Sequence, residues 1–98
     1  PGTPLLVSPM DGASVDNPVI FQWQASATGG APSGYVFILD STPVLTITTT
    51  VTATTMTLSP GEHTWSVQAT NKGGTSSPAE AWTISTPYAV YMPMLGRE

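Results

Sequence analysis

Residues 58–69 join a tight turn to a strand, and they constrain the fold more than any other part of the chain. Pro60 presets φ and Gly61 tolerates backbone angles that a Cβ forbids, so the pair can reverse the chain at little steric cost. Beyond the turn the residues alternate. His63, Trp65, Val67 and Ala69 fall on one face of an extended strand, and Thr64, Ser66 and Gln68 fall on the other. A bulky apolar face backed by a hydroxylated one is the pattern of an antiparallel strand with a core on one side and water on the other.

Similar strands recur along the chain between regularly spaced breakers: the region from Pro9 to Gly12, Asn17-Pro18, the stretch from Gly29 to Gly34, Pro43, Pro60-Gly61, Gly73-Gly74, Pro78 and Pro87. Helix is disfavoured, because β-branched Thr and Val lose rotamer freedom in a helix and no window keeps an apolar stripe at helical period. Strands are expected over residues 5–8, 19–25, 35–40, 43–48, 53–58, 62–71 and 81–85, seven in all. In the second, Val19, Phe21, Trp23 and Ala25 share a face. In the third, Tyr35, Phe37 and Leu39 oppose Val36 and Ile38, so both faces are apolar. Between the fourth and fifth the apolar phase changes from Leu45/Ile47 to Met56/Leu58, and a turn or bulge has to absorb the change. The fold class that follows is all-β, a seven-stranded antiparallel β-sandwich.

The chain has 98 residues, of which 8% are charged, with a formal net charge of −4. Average soluble proteins carry roughly a quarter, so here Ser and Thr fill the exposed positions that Lys and Glu would take. Lys72 and Arg97 are the only basic side chains, which argues against nucleic acid and against an anionic membrane as partners. Cysteine is absent, removing disulfides, thiolate metal sites and cysteine nucleophiles together. No apolar run approaches the roughly 20 residues that span a bilayer as a helix. Residues 1–4, Pro-Gly-Thr-Pro, read as a linker remnant, residues 5–86 as the sandwich and residues 87–98 as an apolar tail; the whole is expected to be a fragment of a longer polypeptide.

The pattern Leu58-x-Pro60-Gly61-x-His63-x-Trp65-x-Val67-x-Ala69-x-Asn71-x-x-Gly74-x-Ser76-x-Pro78 resembles the E–F turn, F strand and F–G loop of fibronectin type III and related immunoglobulin-like modules. Trp23 and Tyr35 match that family's two other core aromatics. The resemblance covers residues 4–86 and implies the family's sandwich. It also implies the family's setting, as an appended extracellular module that spaces catalytic domains, binds other proteins or accompanies carbohydrate-active enzymes. One position departs from the pattern. Where the family has a tyrosine that bonds back across the E–F corner, this chain has His63; imidazole is shorter than phenol, so a weaker corner is expected unless Trp65 supplies the missing bulk. Residues 90–97 resemble a short closing motif at the C-termini of secreted proteins from some filamentous bacteria.

Chemistry-bearing residues are sparse. His63 is the only histidine, and a triad or a zinc site would need partners that the sequence does not supply. No nucleophile elbow, P-loop or H-E-x-x-H occurs. The chain is therefore read as non-enzymatic, with no catalytic residue, cofactor or metal ligand assigned. Asp11, Asp16, Asn17 and Asp40 could offer oxygens to calcium, but their spacing fits no ligand loop and turn formation accounts for them. The threonine-rich residues 46–57 would suit O-glycosylation, although the β-branch of Thr already suits exposed strand positions. Trp23 and Trp65 fall in core phase. Trp82, in phase with Ile84, is read as core too, and it is the one tryptophan that a sugar-stacking reading could use.

An outward Val36 and Ile38 beside Thr64 and Ser66 would form a modest apolar patch, which Tyr88, Val90 and Met92 of the tail could cover. The expected interaction surface is thus Val36, Ile38, Trp82, Tyr88 and Tyr91. The expected role is that of a spacer or protein-docking module in a larger secreted or surface-attached bacterial protein, extracellular or at the cell surface, with neighbouring domains of that protein as partners. The alternative is a carbohydrate-binding module, with polysaccharide as partner, or an accessory domain of a secreted hydrolase.

Overall fold

A computed structural model describes residues 1–87. They form eight strands: β1 (Leu5–Ser8), β2 (Val19–Gln24), β3 (Gly34–Leu39), β4 (Thr42–Ile47), β5 (Ala53–Met56), β6 (Gly61–Asn71), β7 (Gly74–Thr75) and β8 (Trp82–Thr86). β1, β2 and β5 make a three-stranded sheet in that order. β4, β3 and β6 make the body of a five-stranded sheet, and β7 and β8 both pair with β6. Every strand pair is antiparallel. No helix forms among the described residues.

The count is eight where the sequence suggests seven, and the extra strand has a local cause. Asn71 Oδ1 accepts the Gly73 N–H at 2.7 Å, closing a tight turn that returns Gly74 opposite Asn71. Pairing then lapses over residues 76–81, where Pro78 has no N–H to give. It resumes at Trp82, opposite Trp65. β7 and β8 are two halves of one interrupted strand beside β6, and residues 12–15 bond along the other side of β8 at Thr83 and Ser85.

The core lies between the sheets. Val19, Phe21 and Trp23 of β2 face Tyr35 and Phe37 of β3 and Trp65, Val67 and Ala69 of β6, with Leu58 and Ile84 completing the buried cluster. Phe21 sits 4.8 Å from Phe37 and 5.0 Å from Trp65 by ring centroid, and Trp23 sits 5.6 Å from Tyr35, all in tilted or edge-on contacts. Each such side chain contributes on the order of 1.5–3 kcal/mol by burial. Burial also pushes the Tyr35 hydroxyl pKa up. Alternation is strict in β2, where Ile20, Gln22 and Gln24 are exposed. The phase change expected between the fourth and fifth strands coincides with a change of sheet, since β4 pairs with β3 and β5 with β2.

Two glycines are fixed by geometry. Gly61 adopts φ 118°, which opens the turn into β6. A Cβ on Gly34 would collide with the Ile47 carbonyl across the β3–β4 pair. Asn17, in the connection from β1 to β2, clamps the start of the β5–β6 corner. Its Nδ2 donates to the Leu58 carbonyl at 2.7 Å, and its Oδ1 accepts the Leu58 N–H at 2.9 Å. The chain enters and leaves the sandwich at opposite ends. Leu5 of β1 lies beside Gln24 at the end where β2 stops, whereas Thr86 of β8 lies beside Gly61 where β6 begins.

Candidate functional site

The outer face of the five-stranded sheet carries the patch that the sequence suggests. Tyr35 and Phe37 point inward and are buried, so Val36 and Ile38 point outward, where both are half-buried. Ile38 is paired with Ser66 and Val36 with Gln68, and residues directly opposite one another share a face. The break in the last strand then shapes the surface. Ser66 Oγ donates to the Ala79 carbonyl, and the Ala79 N–H donates to the Val67 carbonyl at 3.1 Å, so residues 76–81 stay tethered to β6 without forming a ladder. Ser76 repairs the edge further along. Its Oγ accepts the buried Ala69 N–H at 3.0 Å and donates to the Ser77 carbonyl at 2.9 Å, while Gln68 Nε2 donates to the Ser76 carbonyl at 3.2 Å.

Two hollows flank this tethered segment. A groove of about 270 Å³ lies on the outer face, with Ile38, Thr64 and Ser66 beneath it and Ser41, Pro78 and Ala81 at its rims. A cleft of about 310 Å³ lies where β1 meets β8, bounded by Thr3, Leu5, Leu6, Glu80 and Trp82. Trp82 is half-buried and makes an edge-on contact with Trp65, at 6.0 Å and 88°. The sequence phase predicts a core position for it. Its inward phase is right, since it lies opposite Trp65, but at the start of β8 it borders the cleft and is only half-buried. The structure therefore brings Ile38 into the groove and Trp82 into the separate cleft. Val36 lies on the groove's face but outside its lining, and Tyr88 and Tyr91 fall outside the described residues.

The corner occupied by His63 is closed differently from the family's tyrosine corner. The imidazole is buried, with Nδ1 2.8 Å from Asp40 Oδ2 and Nε2 2.7 Å from the Ser59 carbonyl. Asp40 Oδ1 accepts the Thr64 N–H at 3.1 Å, and the Asp40 N–H donates to the Thr64 carbonyl at 2.8 Å. The short ring still finds a partner on each side, because a carboxylate from the β3–β4 turn reaches in to meet it. Asp40 and Ser41 form that two-residue turn with φ 51° and 65°, the paired left-handed geometry that matches strand twist in a hairpin. Two of the other side chains that could offer oxygens to calcium are engaged within the fold. Asp11 accepts the Thr83 N–H at 2.7 Å and Asn17 clamps Leu58. Among the described residues no three acidic or histidine side chains gather as a metal site would require.

Two facing antiparallel sheets, with the first, second and fifth strands in one and the remainder in the other, define an immunoglobulin-like β-sandwich. No protein-family model matches the chain, and no curated protein matches it in sequence. Among solved structures it is similar to the fibronectin(III)-like modules of Clostridium thermocellum CbhA, with a TM-score of 0.73 and 20% identity over 89% of this chain and 99% of that one. The fold is fibronectin type III-like, as the residues around Trp65 suggest.

Proposed function

We propose that this chain is a non-catalytic spacer or protein-docking module of a larger secreted or surface-attached bacterial protein. The observation that carries the reading is the path of the chain, which enters a rigid aromatic core at one end and leaves at the other. That path suits a module set in series between neighbours. The likeness to modules of Clostridium thermocellum CbhA and the hydroxyl-rich, charge-poor surface support the bacterial, extracellular setting. The outer groove beside Ile38 is the docking surface in this reading, with neighbouring domains as partners, and residues 87–98 are an appended apolar segment.

Carbohydrate binding is the second reading, favoured by the half-buried Trp82 beside Glu80 and Thr3 in the cleft between β1 and β8. It is the weaker of the two, because Trp23 and Trp65 are 2% and 1% exposed and cannot extend a stacking platform. Tryptophan emission and acrylamide quenching, with and without plant, fungal and bacterial wall polysaccharides, separate them. Emission and quenching that no sugar alters support the spacer. A quenchable component that one polysaccharide protects, and that Trp82→Ala removes, replaces the spacer with a carbohydrate-binding module.

A further inference from the structure

The His63 ring is held by two separate parts of the fold, and a third braces one of them. Asp40 in the β3–β4 turn faces Nδ1, and the Ser59 carbonyl at the β5–β6 corner faces Nε2. Thr86 at the end of β8 shares that carbonyl, donating its hydroxyl at 2.8 Å. Besides Asp11, whose Oδ1 accepts the Thr83 N–H opposite Thr64, two further carboxylates are carried to this end of the sandwich, and all three are exposed. Glu62 precedes His63 on β6 and points to the opposite face. Asp16 lies between Val15, whose N–H donates to the Ser85 carbonyl, and Asn17. Lys72 stands at the far end of β6, in the turn to β7, so no basic side chain among the described residues competes for Asp40.

The partners dictate the protonation of the ring. A carbonyl only accepts, so Nε2 carries a proton; an ionised carboxylate only accepts, so Nδ1 carries one as well. Only the imidazolium satisfies both contacts. Loss of the Nδ1 proton would set a ring lone pair against Asp40 Oδ2 at 2.8 Å, two acceptors with nothing between them. Asp40 is also one of two adjacent residues in the left-handed region, a conformation that persists only while surrounding contacts impose it. Ser41, the other, lines the outer groove together with Thr64.

We propose that His63 is a pH-sensitive latch: protonated, it ties the β3–β4 turn to β6 and to the β5–β6 corner, and on losing its Nδ1 proton it releases the turn and opens that end of the outer groove. The Asp40 hydrogen bond, then the Ser59 carbonyl, raise the His63 pKa above its usual 6.5 against the opposing effect of burial. The closed form therefore prevails below the folded-state pKa, and release belongs to its alkaline side. The Nε2 contact to Ser59 survives release, because the neutral tautomer protonated at Nε2 keeps it. Opening is confined to the turn.

The test is an NMR titration of the whole chain from pH 5 to pH 10, following the His63 ring together with the amides of Asp40, Ser41, Thr42 and Thr64. The latch requires the ring to titrate above 6.5, the turn amides to shift with the same midpoint, and their protection from hydrogen exchange, corrected for base catalysis, to fall beyond it. A ring that titrates at or below 6.5 overturns the proposal, as do turn amides that ignore the titration of the ring. Asp40→Asn supplies an independent arm. Asn keeps the acceptor for the Thr64 N–H, tolerates the left-handed turn and can donate to a neutral Nδ1. In that variant the ring midpoint should drop below the wild-type value and the turn should stay protected at high pH. Turn release at high pH in Asp40→Asn equal to that of the wild type would refute the latch.

Discussion

Replacing Asn17 tests whether side-chain bonds across the sequence, rather than strand pairing alone, hold the β5–β6 corner. Asn17 supplies both a donor and an acceptor to Leu58, at 2.7 Å and 2.9 Å, while Leu58 is 5% exposed and belongs to the core. Asn17→Ala removes both partners and leaves the Leu58 N–H and C=O unmatched. An orphaned buried group costs about 1–3 kcal/mol. Asn17 itself is exposed, so water can partly replace it, which places the two-bond loss near the low end, at about 2–3 kcal/mol. For a domain of this size that is a fall in Tm of roughly 8–24 °C. Asn17→Asp sharpens the test. Its carboxylate still accepts the Leu58 N–H, but the second oxygen would face the Leu58 carbonyl, so the folded state would favour the protonated acid. The pKa of the new acid would then lie above the unfolded value of about 3.9. Its stabilisation would be full below that value and lost as pH rises through the folded pKa, opposite to the usual carboxylate. Thermal and urea unfolding followed by tryptophan fluorescence at pH 3.5 and pH 7 read both variants. A loss below about 0.5 kcal/mol for Asn17→Ala, or an Asp variant relatively better at pH 7, would refute the argument.

Other consequences follow from the same geometry. Ser41→Gly removes a side chain from a φ of 65° and should stabilise the fold by up to about 1 kcal/mol, since the left-handed penalty exceeds the entropy that glycine adds; an unchanged urea midpoint would show that the turn is unstrained. Ser76→Ala leaves the Ala69 N–H without its 3.0 Å acceptor in a buried setting, for a cost of about 1–3 kcal/mol and a selective loss of hydrogen-exchange protection at Ala69. With its folded-state pKa raised, His63 contributes stability that is complete below the unfolded value of about 6.5 and disappears as pH rises through the folded pKa. The urea midpoint should therefore decline on the alkaline side in the wild type and stay flat in His63→Gln.

Strand identities were legible because burial on one face imposes period two. The alternation around Phe21, Trp23, Trp65 and Val67 marks the core directly, and the turn chemistry of Pro60-Gly61 and Asn17-Pro18 marks the breaks. The interruption between β7 and β8 was not legible in the same way. Pro78 signals a loop, but whether a loop returns to the sheet depends on bonds such as Ser66 to Ala79 that leave no periodic trace. The pairing of Asp40 with His63 links residues 23 apart, and the Asn17 clamp links residues 41 apart. Both depend on how the turns dock, which one-dimensional spacing does not encode. Trp82 shows a further limit: phase assigns the direction of a side chain, whereas its cover depends on the neighbouring edge, here β1.

Because the chain enters beside Gln24 and leaves beside Gly61, tension applied through its two ends would run along the strands. The backbone bonds of β1–β2 and β6–β8 lie across that load, so each ladder would resist in shear, its bonds failing together instead of unzipping one at a time. The ladders are unequal. β1 has four residues and a bulge after Leu6, while β8 has five residues in unbroken register with β6. Under stretch β1 should detach first, releasing the chain only as far as residues 12–15, which are bonded to β8, and the five-stranded sheet would hold until a higher force.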